Sequence, residues 1–433
     1  MFPNGPQSPG NSWKDGSVEA FDVGVIAAFL IAYGLISGRV ERSPLTGPML
    51  FVGFGLLIGS EGFDIVDLSL DSTAVELLAE STLALLLFSD ASKIDVMRLR
   101  HDVALPTRML VIGLPLAIGA GTLLAWALFD IPLAVAALIA AILAPTDAAL
   151  GQAVVSDEAV PLRVRQSLNV ESGLNDGIAL PAVTLFVALA ADDDQFTSAG
   201  SWLAFAAEQI GYGVLVGSAI GAGAGWLIRS SSARGWMEGV ARQLAVLGVA
   251  VTAFVAALEV GGNGFIATFV AGLALGTTAT ETCAHIEEFT EDLAELFATV
   301  SFIVFGAIVV GPALPELDWR VALYALGSLL LVRPLAIAIS LVGSGVRRET
   351  VAFFGWFGPR GLASILFGIS AVEHAHDVDL GPVFTVMSWT VLLSIVAHGL
   401  SATPGAAAYG RWWHTKGPEA DHMVEGQPMP DEA

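Results

Sequence analysis

Apolar stretches long enough to cross a lipid bilayer recur along almost the whole chain, from about Phe21 to Leu400. A membrane-spanning helix needs about 20 predominantly apolar residues. The hydrocarbon core offers no water to an unpaired backbone group, so only helices and closed barrels can span it. Only 14% of the 433 residues are charged, against roughly 25% in an ordinary soluble domain. The pattern predicts an all-α polytopic membrane protein.

Hydropathy and the positions of the Gly, Pro and acidic breaks predict 13 transmembrane helices, which together form a transmembrane domain over residues 20–400. Residues 1–19 are predicted to be a polar extracellular segment, and residues 401–433 a short cytoplasmic tail that we expect to be disordered. The approximate spans are 20–37, 45–60, 73–90, 108–129, 131–150, 168–190, 201–228, 243–259, 264–277, 293–312, 319–343, 351–371 and 381–400.

The Lys and Arg residues predict the orientation. With the N-terminus outside, 15 of the 19 basic residues fall in inner connections or in the C-terminal tail. Because positive charge is retained on the cytoplasmic side, we expect a multi-pass protein of the cell membrane with a cytoplasmic C-terminus. The connection near 278–292 is acidic and does not follow this pattern. The net charge of −23 argues against nucleic acid as a partner.

An odd number of spans allows two inverted six-helix repeats, at about 20–190 and 243–400, with a linker helix at about 201–228. Interrupted segments at corresponding positions of such repeats point to a binding site. Span 5 is interrupted at Ala144-Pro145-Thr146-Asp147, and span 12 at Gly358-Pro359-Arg360-Gly361. Since proline removes a helical hydrogen bond, both helices are predicted to unwind where they line a cavity.

Few ionisable residues lie within the predicted spans, and each costs about 2.5–3.5 kcal/mol at a helix centre on insertion scales. On a regular helix Ser172 and Asp176 share one face, and Glu171 and Asn175 share another. We therefore expect this helix to present the two pairs to different neighbours. The ionisable residues are Glu80, Asp90, Asp147, Glu171, Asp176, Arg333 and Arg360.

Oxygen-bearing side chains near the two interruptions suit a hard monovalent cation. Carboxylate and hydroxyl oxygens are available from Asp176, Asp147, Ser172 and Thr146. Removal from water favours the protonated form of a carboxylic acid. A single carboxylate that binds either a cation or a proton would therefore exchange one for the other.

The remaining polar residues are predicted to support this arrangement. Glu171 is expected to pair with Arg333, which avoids a lone buried charge. Asn175 is expected to satisfy backbone groups of a broken helix. Arg360 is expected to compensate the negative C-terminal ends of the half-helices.

Two motifs in the middle of the chain carry a family resemblance. Leu143-Ala144-Pro145-Thr146-Asp147, followed by Glu171-Ser172-Gly173-Leu174-Asn175-Asp176-Gly177, resembles the sodium/proton exchangers of the NhaP type, in the monovalent cation:proton antiporter 1 family. Arg333 and Arg360 match that family's two late intramembrane arginines in type and spacing. Pro334 and Pro359 depart from its pattern. The resemblance covers about 20–400 and implies 13 helices, a core domain of crossed broken helices, a dimerisation domain and elevator-like alternating access.

The resemblance also implies residue roles. They are Asp176 as the cation- and proton-binding carboxylate, Asn175 as its partner, Thr146, Asp147 and Ser172 as further cation contacts, Glu171 paired with Arg333, and Asp90 as an acidic cavity residue of some members. An Asn-Asp pair resembles the electroneutral branch of the family, in which one cation exchanges for one proton.

The sequence therefore predicts a homodimeric Na⁺ or Li⁺/H⁺ antiporter without enzymatic activity, a cofactor or a resident metal ion. Potassium/proton exchange is a variant of this prediction. A cation-coupled solute symporter of related inverted-repeat fold is the alternative, although it would need further polar groups to bind an organic substrate. A channel is disfavoured because one carboxylate cluster between broken helices suits an occluded site better than a continuous pore.

Overall fold

The computed structural model describes residues 20–40, 43–65, 72–94, 104–191, 199–237, 239–278, 287–374, 379–416 and 423–426. Throughout these ranges the regular structure is helical, without a strand. The predicted extracellular segment 1–19 and the end of the predicted tail, 427–433, lie outside the described residues.

Each predicted span contains helix, and the two spans with predicted interruptions are each divided into two helices. Eight helices are long and apolar enough to cross a membrane, judged by length and composition. The number of 13 crossings and the inverted repeats stay predictions. The helices are α1 (Ala20–Val40), α2 (Gly47–Ile58), α3 (Thr73–Ser92), α4 (Ala104–Leu128), α5 (Leu133–Ile142), α6 (Ala148–Val155), α7 (Leu162–Ala190), α8 (Ala199–Ala233), α9 (Gly239–Glu259), α10 (Gly264–Thr278), α11 (287–313), α12 (Trp319–Ser340), α13 (Arg348–Trp356), α14 (Leu362–His374) and α15 (Gly381–His414).

Three of the long helices contain a wider, π-helical turn just before a proline. The turns are Met109–Gly113 in α4, Phe305–Val310 in α11 and Ser328–Val332 in α12. Pro115, Pro312 and Pro334 each follow two residues after the turn ends. Proline has no N–H and its ring clashes with the carbonyl four residues earlier, so a locally widened turn lets the helix continue. In α12 this turn directly precedes Arg333.

The two broken helices lie in the protein core. Every residue from 135 to 147 is buried, and so is every residue from 357 to 369. The main hydrophobic cluster surrounds them with side chains of α5, α14 and α15, among them Leu138, Ile365 and Val391. Interrupted backbone at membrane depth is tolerated only when protein or a water-filled cavity surrounds it, and here protein encloses both interruptions.

The C-terminal boundary predicted from sequence is wrong for residues 401–414. They are the last turns of α15, which continues through Pro404 to His414. The Tyr409 ring lies 4.2 Å from the Phe353 ring, and its hydroxyl is hydrogen-bonded to Thr350 at 2.7 Å. The last span was predicted to end at residue 400, but packing against α13 stabilises the further turns and outweighs the backbone hydrogen bond lost at Pro404.

Part of the predicted tail is also folded against the starts of α7 and α13. Glu425 is buried and accepts hydrogen bonds from the Arg347 N–H and the Thr350 hydroxyl, both at 2.8 Å. Arg163, at the start of α7, donates to the Val424 carbonyl at 2.6 Å. A buried carboxylate at the N-terminus of α13 satisfies orphan donors there, so residues 423–426 are ordered by specific contacts.

Helix α8 packs along α10 through small residues. A Cβ added at Gly217 or Gly221 would overlap the Ala267 or Ala271 carbonyl. Only the hydrogen atom of a glycine fits at these two positions, so no larger residue allows the helices to approach this closely. Close backbone contact through small residues is a main source of helix association in membranes.

This packing predicts opposite effects for two glycines of the same helix. Gly221→Ala should lower the free energy of unfolding by about 1–3 kcal/mol, because the new methyl group forces the helices apart. Around Gly223 nothing lies within 4 Å of a Cβ, so Gly223→Ala should be neutral or stabilising by up to about 1 kcal/mol. Thermal stability in detergent distinguishes them, and equal melting of the two variants would contradict the packing.

Candidate functional site

The two helix breaks meet at Asp147. Its N–H donates to the Pro359 carbonyl at 2.8 Å. One carboxylate oxygen accepts from the Leu150 N–H at 3.1 Å, and the other from the Leu362 N–H at 2.6 Å. The side chain therefore caps the N-termini of α6 and α14 together. Negative charge is favourable at both positions because helix N-termini carry unpaired N–H groups and a partial positive charge.

Arg360 lies at the opposite ends of the same interruptions. Its guanidinium donates to the Gly358 carbonyl at 3.2 Å and to the Pro145 carbonyl at 3.5 Å. These carbonyls follow the C-termini of α13 and α5. Arg360 is among the largest fully buried side chains of the described residues. Its positive charge thus lies where the half-helices end in partial negative charge.

The two glycines around Pro359 make room for charged side chains. A Cβ at Gly358 would overlap the Arg333 guanidinium, and a Cβ at Gly361 would overlap the Asp147 carboxylate. Pro359, which departs from the family's pattern, supplies the carbonyl that accepts from Asp147. In the sequence Gly358-Pro359-Arg360-Gly361, the glycines thus leave space for the Arg333 and Asp147 side chains, and Pro359 provides a hydrogen-bond acceptor.

Glu171 of α7 and Arg333 of α12 form a buried ion pair. Two parallel hydrogen bonds of 2.9 Å join the guanidinium to both carboxylate oxygens. Arg333 also donates to the Phe354 carbonyl in α13 at 3.4 Å. Such forked geometry is the strong form of an arginine–carboxylate interaction. With both oxygens engaged, Glu171 links α7 to α12 and α13.

Asn175 and Ser172 both reach Thr146 in the first break. The Asn175 amide donates to the Thr146 hydroxyl at 2.5 Å, and the Thr146 and Ser172 hydroxyls lie 3.1 Å apart. The expected division, with Asn175 beside Glu171, is therefore wrong. Residues three apart on a helix also share a face, and Asn175 bonds a side-chain hydroxyl instead of the backbone of a broken helix.

Asp176 is placed differently from the other acidic residues. It is half-buried and lines a cavity of about 390 Å³ together with Asp147, Ser172 and Asp90. Within the described part of the chain, its Oδ1 atom is buried and has no hydrogen-bond partner. Asp176 therefore lines the cavity with a carboxylate that its described neighbours leave partly without hydrogen bonds.

The mouth of this cavity carries further charges. Lys93 and Glu291 line it and form a salt bridge of 2.6 Å between α3 and α11. Arg163, which holds the Val424 carbonyl, lines it as well. Glu80 is not among the lining residues. In the described ranges, no group of three or more His, Cys, Asp and Glu residues could hold a metal ion.

Ser394 and His398 of α15 also contact the second break, although the sequence did not point to them. Arg360 N–H donates to the Ser394 hydroxyl at 2.6 Å. The His398 ring lies between Ser394 and the Trp356 carbonyl. Their sequence signal is weak: a serine and a histidine four residues apart, in a helix that carries several other hydroxyl residues.

The ion pair makes a prediction about stability. Glu171→Ala or Arg333→Ala alone should lower the free energy of unfolding by about 3–5 kcal/mol, because each leaves the other charge buried and unpaired. The double variant should lose less than the sum of the two. Thermal unfolding of the four proteins in detergent measures the coupling, and strictly additive losses would argue against the pair.

Comparison with known proteins identifies several relatives. The K(+)/H(+) antiporter NhaP2 of Shewanella sp. strain ANA-3 is 26% identical over 392 residues, which cover 87% of this chain and 66% of that protein. The Na(+)/H(+) antiporter ApNhaP of Aphanothece halophytica is 27% identical over 380 residues, covering 83% and 69%. The chain thus spans just under two thirds of the length of the NhaP2 relative.

The fold and the family follow from two further matches. The solved sodium proton antiporter MjNhaP1 of Methanocaldococcus jannaschii superimposes with a TM-score of 0.75 at 21% identity, covering 87% of this chain and 98% of that one. The all-α antiporter fold predicted from sequence is confirmed by this likeness. The family described as "Sodium/hydrogen exchanger, transmembrane" matches residues 25–407, nearly the whole membrane region. The chain therefore belongs to the sodium/hydrogen exchanger family.

Proposed function

We propose that this chain exchanges a monovalent cation for protons across the cell membrane and that Asp176 is the exchanging group. The observation that carries the proposal is that Asp176 lines the cavity while its buried Oδ1 atom has no hydrogen-bond partner among the described residues. Two of the neighbouring acids are engaged elsewhere, since Glu171 pairs with Arg333 and both oxygens of Asp147 cap helices. Asp176 is thus better able to change its partner than Glu171 or Asp147.

Competition between a cation and a proton explains the coupling. A partly dehydrated cation would contact the Asp176 carboxylate, with the Ser172 and Thr146 hydroxyl oxygens and Asp147 beside it. When the cation leaves, burial favours the neutral, protonated acid. Because one carboxylate cannot hold both, each arrival displaces the other. The Asn175 amide holds the Thr146 hydroxyl in place without adding charge.

Alternating access completes the exchange. The cavity contains Lys93 and Arg163 at its mouth, residues that the basic-residue pattern assigns to the cytoplasmic side. We therefore propose that the described state is open to the cytoplasm, with the N-terminus outside. An elevator-like movement of the broken-helix domain in a homodimer, as the resemblance implies, would carry Asp176 to the other side. No cofactor is needed in this scheme.

The choice of cation has two candidates. Na⁺ or Li⁺ suits carboxylate and hydroxyl oxygen ligands, and Na⁺ is the cation in the name of the ApNhaP relative. K⁺ is the second candidate, because the NhaP2 relatives from Shewanella and the NhaP relative from Alkalimonas amylolytica are named K(+)/H(+) antiporters.

The proposal predicts the behaviour of everted vesicles with an established pH gradient. Adding NaCl, LiCl or KCl should dissipate the gradient with the wild-type protein. Asp176→Asn should reduce this to the background of vesicles lacking the protein, since a neutral amide can neither ionise nor release a proton. Fluorescence of a pH-sensitive dye measures the dissipation and ranks the three cations.

The matched control is Asp130→Asn, the same chemical change at an exposed position between α4 and α5. It should exchange like the wild type. Full activity in Asp176→Asn would assign the exchange to another carboxylate. A wild-type protein that responds to none of the three salts would rule out the antiport function.

The Asn175-Asp176 pair predicts electroneutral exchange, one cation for one proton, because a single carboxylate carries one charge in either direction. In proteoliposomes, an imposed membrane potential of either sign should leave the rate of Na⁺-driven proton movement unchanged. A rate that follows the sign of the potential would show instead that net charge moves in each cycle.

A further inference from the structure

The break between α13 and α14 separates two backbone groups that a continuous helix would join. In an α-helix the N–H of each residue donates to the carbonyl four residues earlier, which for Arg360 is the Trp356 carbonyl. Phe357 instead has φ −81° and ψ 62°, and Gly358 N–H donates to the Trp356 carbonyl at 2.8 Å. This is an inverse γ-turn, and it leaves the Arg360 N–H without its helical acceptor.

Two side chains of α15 connect these same groups. Arg360 N–H donates to the Ser394 hydroxyl at 2.6 Å, and that oxygen lies 3.1 Å from His398 Nδ1. His398 Nε2 lies 2.8 Å from the Trp356 carbonyl oxygen. Ser394 and His398 are both buried. The hydrogen bonds therefore run from Arg360 through α15 and back to Trp356.

The direction of these hydrogen bonds is consistent along the chain. A carbonyl oxygen only accepts, so His398 Nε2 must carry the hydrogen that it donates to Trp356. In the neutral ring Nδ1 is then an acceptor. The Ser394 hydroxyl accepts from Arg360 and keeps its own hydrogen for Nδ1. Nδ1 also lies 2.9 Å from the Ser394 carbonyl oxygen. In a doubly protonated ring, Nδ1 would donate to that carbonyl, and the Nε2 hydrogen bond to Trp356 would stay the same.

The segment held in this way makes the contacts between the two breaks. Pro359 accepts from the Asp147 N–H, and Leu362 donates to the Asp147 carboxylate. The Arg360 guanidinium reaches the Pro145 carbonyl. Thr146 stands between Pro145 and Asp147 in the chain, so a shift of the second break would move Thr146 and Asp147, which the proposed function places beside the cation.

We propose that Ser394 and His398 are positioning residues for cation exchange: their side chains replace the missing helical hydrogen bond between Arg360 and Trp356 and hold the second break against the first. This role rests on the proposed function. A loosened break would hold the cation oxygens less rigidly, so cation affinity should fall more than the maximal rate.

The test uses paired variants in vesicles, with rates corrected for the amount of folded protein. His398→Phe keeps a planar ring without nitrogens, and Ser394→Ala removes the hydroxyl. Both should raise the cation concentration for half-maximal exchange by about tenfold or more, the usual scale for losing a group that orients ion ligands. His398→Gln, which keeps an N–H donor, should recover part of the affinity.

The control is Ser401→Ala, the same change on the same helix. Ser401 accepts from the Trp356 indole N–H at 2.9 Å, outside the path between Arg360 and the Trp356 carbonyl. It should keep near wild-type affinity. If His398→Phe does not accumulate, the half-saturating cation concentrations of Ser394→Ala and Ser401→Ala are compared instead.

Amide hydrogen exchange gives a second readout that does not depend on transport. Peptides covering 357–362 should exchange faster in Ser394→Ala and His398→Phe than in Ser401→Ala. Wild-type half-saturation in an active Ser394→Ala or His398→Phe protein would overturn the positioning role, even if less protein folds. A wild type without cation-dependent exchange would overturn the proposed function itself, whatever the amide exchange shows.

Discussion

Backbone groups freed inside a membrane must find partners within the protein, and most of the site can be understood from that constraint. Two helices are interrupted, and each interruption leaves unpaired N–H groups at one end and unpaired carbonyls at the other. Asp147 accepts from the N–H groups of both following half-helices, and Arg360 donates beyond the ends of both preceding ones. Opposite side-chain charges thus compensate opposite helix ends, and the crossing is held by interactions that neither broken helix could make alone.

This arrangement also decides which acid remains available for exchange. Asp147 is occupied by backbone donors and Glu171 by Arg333. Asn175 is tied to Thr146 and carries no charge. Asp176, on the helix next to both breaks, keeps a carboxylate oxygen that no described group engages. The proposed separation between supporting and exchanging acids therefore rests on how completely each is hydrogen-bonded.

Elements distant in sequence complete the support. Helix α15 packs on α13 and supplies Ser394 and His398 to the second break. Glu425 caps the start of α13, and Arg163 binds the adjacent carbonyl from the start of α7. Residues from the C-terminal part of the chain thus supply hydrogen-bond partners at both ends of α13, at its N-terminus and at the break that follows it. Composition does not record these contacts, so the sequence predicted a disordered tail over residues 401–433.

The sequence by itself determined the all-α class, the approximate helices, the two interruptions and the set of polar residues around them. Hydrophobic length and proline are local properties, and a charge inside an apolar span is costly wherever it lies. The tertiary structure alone decided the pairing. Asn175 joins Ser172 at Thr146, Asp147 bridges two half-helices, and α15 reaches the second break. Such contacts depend on which helix faces pack against each other, and those faces come from residues far apart in the chain. Local periodicity in the sequence does not specify this packing.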